Sequence, residues 1–225
     1  IRQTAELLKS HVLDTAVEMT RQMKENLDII DGNIVRATDG SVLMSLGELA
    51  TEKLYSLTNC GHLTAESTYQ IKNNAYSFGC SFAEVEVDMP LGKVKVTNIV
   101  NVHDCGRLIN PALAEAQVHG GMSMGIGFGL SEELKFDEKT GKPLNNNLLD
   151  YKMATFEDHP DLHGEFVENY EPTSEYGTKA VGEPPVCSVA PAIRNAILNA
   201  TGSGLNELPL NPHRLFAKFR EDGLI

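Results

Sequence analysis

The chain has 225 residues, 41% hydrophobic and 22% charged, the make-up of an ordinary globular protein with enough chain for one large domain or two small ones. Its net charge of −12 argues against nucleic acid as a partner, because holding phosphates needs a basic face and the sequence shows none. The longest weakly polar run, Gly120 to Leu130, is too short and too rich in glycine to cross a membrane, and no secretory leader is legible.

In chain order, the first element is an amphipathic helix from Ile1 to about Asn26, with Leu8, Val12, Ala16, Met19 and Met23 at helical spacing. Leu27 to Arg36 reads as a tight hairpin turning at Asp31-Gly32-Asn33. Ser45, with Glu48 three residues on, is a capping box that opens a helix with Leu46, Leu49 and Leu54 turned inward. His62 reads as an ordinary loop histidine.

A second hairpin follows. Phe82 to Asp88 and Lys93 to Thr97 both alternate apolar with charged residues, and Pro90-Leu-Gly92 joins them. Glu84, Glu86 and Asp88 then share a face with Lys93 and Lys95 opposite, a solvated surface with cross-strand charge pairing. Asn101 to Pro111 reads as a loop, because Gly106 and Asn110-Pro111 break regular structure.

Ala112 to Leu130 is helical in pattern but holds five glycines, at 120, 121, 125, 127 and 129. Each costs a helix roughly 1 kcal/mol relative to alanine, so close approach of a neighbouring element or of a large ligand must offset them. Gln117, able to donate and accept, is the polar residue expected to face inward. Glu132 to Phe136 reads as strand, Asp137 to Pro143 as a polar turn, Asn145 to Tyr151 as irregular, and Phe166-Val167 as the start of a short strand. Pro191 to Ala200 reads as a helix capped by Gly202, and Pro212 to Phe219 as a last helix with proline in its first turn. Helices mix with antiparallel hairpins without βαβ regularity, so the fold class is α+β.

Cys60, Cys80, Cys105 and Cys187 form no CxxC pair and have no histidines at zinc spacing. Their small and apolar neighbours suit reduced, buried thiols in a cytoplasmic protein. The stretch Tyr176-Gly-Thr-Lys-Ala-Val-Gly-Glu-Pro-Pro185 draws attention for a different reason. Glu183 precedes two prolines, which predicts a constrained, non-helical backbone for it, and Gly182 leaves space beside it. The bland alternative is a solvated loop glutamate that caps the next helix.

Six spaced motifs now carry a resemblance. Ser81-Phe-Ala-Glu-Val-Glu-Val-Asp88, Gly92-Lys-Val94, Asp104-Cys-Gly-Arg-Leu-Ile-Asn-Pro111, Gln117-Val-His-Gly-Gly121, Asp150-Tyr-Lys152 and Gly177-Thr-Lys-Ala-Val-Gly-Glu-Pro-Pro185 together resemble the molybdenum hydroxylases, the xanthine dehydrogenase and aldehyde oxidase family. The ending Glu207-Leu-Pro-Leu-Asn-Pro-His-Arg-Leu215 fits as well, and Tyr170 to Gly177 leans towards bacterial xanthine dehydrogenases.

The resemblance implies that residues 1–225 are the C-terminal portion of a molybdenum-cofactor-binding domain, with the family's upstream cofactor loop and substrate-clamping regions outside the chain. It implies molybdenum on a molybdopterin, plain or as the cytosine dinucleotide, ligated by no side chain here. Gln117 would hydrogen-bond this cofactor, Gly182 would let the backbone approach it, and Glu183 would be the catalytic base. A dry pocket would suit Glu183, since burial raises a carboxyl pKa towards the working pH. Lys179 would oppose that rise if it pointed at Glu183.

The implied reaction is hydroxylation of a purine at an electron-poor ring carbon with oxygen from water. Electrons would pass to 2Fe-2S clusters and FAD on partner modules, within an oligomeric assembly. The alternatives are an aldehyde or other N-heterocycle as substrate, or a non-catalytic assembly module. Alone, the chain is expected to expose apolar surface and to be inactive.

Overall fold

The computed structural model describes residues 1–57, 60–70 and 73–225, and the chain divides into two compact units, Ile1–Gln70 and Ile71–Ile225.

In the first unit, helix α1 (Arg2–Thr20) lays Val12 and Ala16 onto Leu27, Ile34 and Leu49. It ends six residues earlier than its periodicity suggests, because Arg21 adopts the left-handed conformation that closes a helix (φ 55°). Strands β1 (Leu27–Ile30), β2 (Asn33–Arg36) and β3 (Val42–Ser45) form an antiparallel sheet in that order. The β1–β2 turn is Asp31-Gly32 with both φ angles positive, the two-residue geometry whose twist matches the strands. Helix α2 (Leu46–Tyr55) opens with the expected capping box between Ser45 and Glu48. Leu49 is buried as expected, whereas Leu54 lies towards the exposed side.

The second unit is built on the long pair β4 (Phe78–Asp88) and β5 (Lys93–Asp104). Glu86 faces Lys95 and Asp88 faces Lys93 in the register, while Glu84 faces Asn98, so the expected opposition of charges holds at two of three positions. Between Val96 and Asn98 the register shifts, leaving Thr97 as the extra residue of a bulge. One extra residue reverses which face each later side chain takes. Val96 points into the core before the bulge, and Ile99, Asn101 and His103 point into it afterwards. The expected loop from Asn101 is therefore strand as far as Asp104.

Helix α3 (Pro111–Leu130) crosses over to β6 (Leu162–Phe166), which pairs parallel with β5. This one parallel step has no counterpart in the sequence pattern. The expected strand at Glu132 to Phe136 is reduced to a single bridge between Phe136 and Pro143, and β6 ends where a strand was expected to begin. A four-residue helix α4 (Pro184–Cys187) leads into α5 (Val189–Thr201), which Gly202 caps at φ 74°. Helix α6 (Pro212–Glu221) closes the unit, and its Leu215 and Phe219 join Ile99, Met122, Ile126 and Ile193 in the core.

The α3 glycines divide by surroundings. A Cβ on Gly121 would lie 2.5 Å from Pro185 Cβ, and one on Gly125 would lie 2.4 Å from Val189 Cβ. Helix packing is thus what these two glycines serve. A Cβ on Gly120 would meet nothing within 4 Å. Large apolar side chains also remain uncovered, including Phe82, Leu148, Leu149 and Phe156, as the sequence led us to expect.

The contrast at neighbouring glycines gives a paired prediction. Gly120→Ala should stabilise the chain by about 0.5–1 kcal/mol, through helix propensity alone. Gly121→Ala should destabilise it by about 1–3 kcal/mol, because Pro185 must be displaced. Urea denaturation of both variants measures this, and equal effects of the same sign would contradict the packing described.

Candidate functional site

The stretch from Gly177 to Pro185 is anchored by hydrogen bonds at Gly177, Lys179, Ala180 and Pro185. Arg107 N–H donates to Gly177 O (2.8 Å), and Lys179 N–H donates to Cys105 O (2.7 Å). These bonds make an antiparallel bridge between Gly106 and Thr178. Gly106 is needed there, because its φ is +70° and a Cβ would sit 2.2 Å from Gly177 O. Ser77 Oγ donates to Ala180 O at 2.6 Å. On the core face of the strand pair, Asn101 Nδ2 donates to Pro185 O at 3.0 Å, and Ser81 Oγ shares a 2.6 Å hydrogen bond with Ser188 Oγ.

Lys179 has its own partner. Its Nζ lies 2.7 Å from Asp104 Oδ2, with the two side chains 4% and 13% exposed, and 5.5 Å from the centre of the Phe78 ring. It is therefore committed to Asp104 and is not the cation beside Glu183. Burial would raise the Asp104 pKa. Hydrogen bonds from Lys179, Gly106 N–H and Asn169 outweigh that and hold its carboxyl below the ordinary value. Nearby, burial holds the His103 imidazole below its ordinary value, against a hydrogen bond with the Phe78 backbone. The His103 ring fills the space that Gly79, opposite it on β4, leaves open.

Glu183 itself has φ −89° and ψ −33°, a helical conformation, which corrects the expectation of a non-helical backbone. A proline disfavours that region in the residue before it, but the contacts at Gly121 and Asn101 override the preference. Pro184 then occupies the first helical position, where its missing N–H costs nothing. The Glu183 side chain is exposed within this chain. Among the described residues its carboxylate has no hydrogen bond or ion pair. Beside it, a Cβ on Gly182 would meet nothing within 4 Å, so that flank is open as expected.

Gln117 is also exposed, correcting the expectation that it faces inward; Val118 turns into the core instead. The contacts Gly121 with Pro185 and Gly125 with Val189 show that α3 and the α4–α5 segment run side by side in the same direction. Gln117 lies one helical turn before Gly121, on the same row. It therefore stands at the end of α3 at which Gly182 and Glu183 arrive. A cleft of about 540 Å³ lined by Val94, Val96, Ile126 and Lys152 includes none of these three residues. All four cysteines are free, but only Cys105 is buried; Cys80, one residue out of step with the inward-facing Gly79 and Ser81, is exposed, as are Cys60 and Cys187. No helix among the described residues is long and apolar enough to cross a membrane.

Two residues that hold the site escaped the sequence reading. The loop expected from Asn101 hides its inward side chain, and the sequence pattern relates Lys179 only to Glu183. The alternation of β5, continued through one bulge, would have turned Asn101 inward.

The buried pair gives a stability prediction. Lys179→Met strips Asp104 of its cation but leaves two hydrogen bonds, so we expect a loss of about 3 kcal/mol, the lower end for a broken buried pair. A loss under about 0.5 kcal/mol, the range of an exposed pair, would contradict this reading. The pH dependence has a definite sign. Because the folded Asp104 pKa is lowered, its stabilising share is complete above the ordinary value of 3.8 and fades as pH falls through the lowered one. Denaturation from pH 7 down to pH 3 should show a larger loss of stability in the native protein than in Lys179→Met, which keeps only the Gly106 and Asn169 bonds to the carboxylate.

The molybdopterin cofactor-binding domain family matches residues 1–160. Over its whole length the chain is 48% identical to the xanthine dehydrogenase molybdenum-binding subunit of Escherichia coli O157:H7, of which it covers 30%. It is 32% identical over 200 residues, 86% of this chain and 26% of the relative, to the aldehyde oxidoreductase molybdenum-binding subunit of Escherichia coli K12. The solved structure of quinoline 2-oxidoreductase from Pseudomonas putida 86 superposes with a TM-score of 0.75 at 27% identity, over 96% of this chain and 28% of that one. The chain thus spans under a third of the length of each of these relatives. With its helices and sheets arranged as in those proteins, it belongs to the molybdopterin cofactor-binding domain family of the molybdenum hydroxylases, on the xanthine dehydrogenase side of that group.

Proposed function

We propose that this chain supplies the catalytic base and one cofactor contact of a molybdenum hydroxylase acting on a purine. The observation that carries the proposal is a partnerless carboxylate on an anchored backbone. Glu183 is bracketed by hydrogen bonds to Ala180 and Pro185, yet its own side chain is unengaged and its Gly182 flank is open. Its carboxylate makes no capping bond to α4 either, since that helix opens on two prolines without N–H groups.

The residues fit a pterin-held metal. Gln117 offers an uncommitted amide at the same end of α3, and the open face at Gly182 admits a bulky group against the backbone. Gln117 would hydrogen-bond the pterin, and Gly182 would let it approach. When bound, the molybdenum centre supplies a two-electron acceptor and the oxygen that reaches the substrate carbon. Glu183 would be the group that takes up the proton there. Its held backbone keeps the carboxylate oriented with little reorganisation as the proton moves. Covering Glu183 by the rest of the subunit and by substrate would exclude water and strengthen this role.

The purine reading rests on the higher identity to the xanthine dehydrogenase subunit than to the aldehyde oxidoreductase subunit. In this reading the electrons leave through 2Fe-2S and FAD subunits of a cytoplasmic oligomer. The pterin is then either plain molybdopterin or its cytosine dinucleotide.

In the assembled protein, Glu183→Gln keeps the shape and removes the base, so the rate of purine hydroxylation per molybdenum should fall about 10²- to 10⁴-fold with metal content unchanged. Gln117→Ala should instead lower molybdenum and pterin content more than the rate per metal. Single-turnover reduction by xanthine, normalised to metal, separates the two. A Glu183→Gln variant that hydroxylates at near the native rate would remove the base assignment.

A further inference from the structure

Asn101 lies outside the proposed reaction, yet it holds the turn that carries Glu183. It is 0% exposed, and its Nδ2 donates to Pro185 O at 3.0 Å across 84 residues of chain. Its Oδ1 has no partner. A buried amide with an unpartnered oxygen is a costly choice at a core position where valine or isoleucine would pack. The cost points to the work of the donor.

That work follows from the two prolines. Neither Pro184 nor Pro185 has an N–H, so for two residues after Glu183 the turn has no backbone donors of its own. The next N–H, of Val186, donates to Glu183 O at 3.0 Å. The backbone around Glu183 is therefore held by what its carbonyls accept, and at Pro185 the donor is Asn101. Ser81, directly opposite Asn101 in the β4–β5 ladder, holds the far end of α4 through Ser188. Gly121 closes the other side, since Pro185 rests on its bare backbone. The turn is thus gripped between one strand pair and one helix.

We propose that Asn101 is a positioning residue for Glu183: its amide fixes α4 at Pro185 and thereby the direction in which the Glu183 carboxylate points. This rests on the assignment of Glu183 as the base. Asn101 touches neither substrate nor cofactor.

The test is a double-mutant cycle in the assembled, cofactor-loaded protein. Asn101→Ala and Asn101→Asp are each made alone and with Glu183→Gln, and xanthine turnover is normalised to molybdenum. Asn101→Asp keeps the shape, replaces the donor with an acceptor, and carries the kinetic comparison should Asn101→Ala fail to assemble. We expect kcat to fall about 10- to 100-fold in either single variant, the scale of a small misplacement, with KM and metal content unchanged. In the Glu183→Gln background the same change should alter kcat by less than about twofold, because the group being positioned is gone.

Hydrogen exchange at the Val186 amide should speed up in the Asn101 variants while the amides of α6 keep their rates. Equal kcat losses in both backgrounds would show a general structural effect and overturn the proposal. So would an unchanged kcat in the Asn101 variants beside a strongly impaired Glu183→Gln. If Glu183→Gln alone proves fully active, the base assignment fails first, and the two failures are told apart.

Discussion

A Cβ on Gly121 would sit 2.5 Å from the side chain of Pro185, and one on Gly125 would sit 2.4 Å from that of Val189. Two positions one turn apart on α3 are thus bare where α4 and α5 arrive. Closer backbone approach brings more atoms into van der Waals contact, which offsets the helix cost of the glycines. The same approach sets the level of Pro185, and Glu183 lies only two residues before it. Without those gaps, the turn could not reach the strands that hold it from the other side.

The polar groups around the turn follow a consistent division. Those that hold the backbone are buried or half-buried and engaged: Asn101 with Pro185, Ser81 with Ser188, Lys179 with Asp104. Those assigned to chemistry, Glu183 and Gln117, are exposed and uncommitted. Engaged groups reduce the freedom of the frame, and uncommitted ones stay available to a ligand. Such an arrangement suits a base whose orientation matters and whose partners come from outside the chain.

Much of this was legible from residues alone. The Ser45–Glu48 capping box, the Asp31-Gly32 turn, the β4–β5 hairpin and the Gly202 cap are local signals, and these survive into the structure. The failures have tertiary causes. Thr97 forms a bulge that breaks the alternation, so the inward Asn101 and His103 looked like the start of a loop. The parallel pairing of β6 with β5 joins residues about sixty apart, beyond any window of periodicity. Pre-proline sterics predicted a non-helical Glu183, and contacts with α3 and β5 override them. The importance of Glu183 came from the spacing of six motifs, and its freedom from partners came only from the structure.

The central claim is that Glu183 is the group that takes the proton at the reacting centre. A structure of the assembled protein with its molybdenum cofactor and a purine inhibitor bound tests this most directly. The account predicts a Glu183 carboxylate oxygen within hydrogen-bond reach of the oxygen bound for the substrate, about 2.6–3.2 Å directly or through one water. A Glu183 turned away into solvent, with a different carboxylate or imidazole at that oxygen, would contradict it.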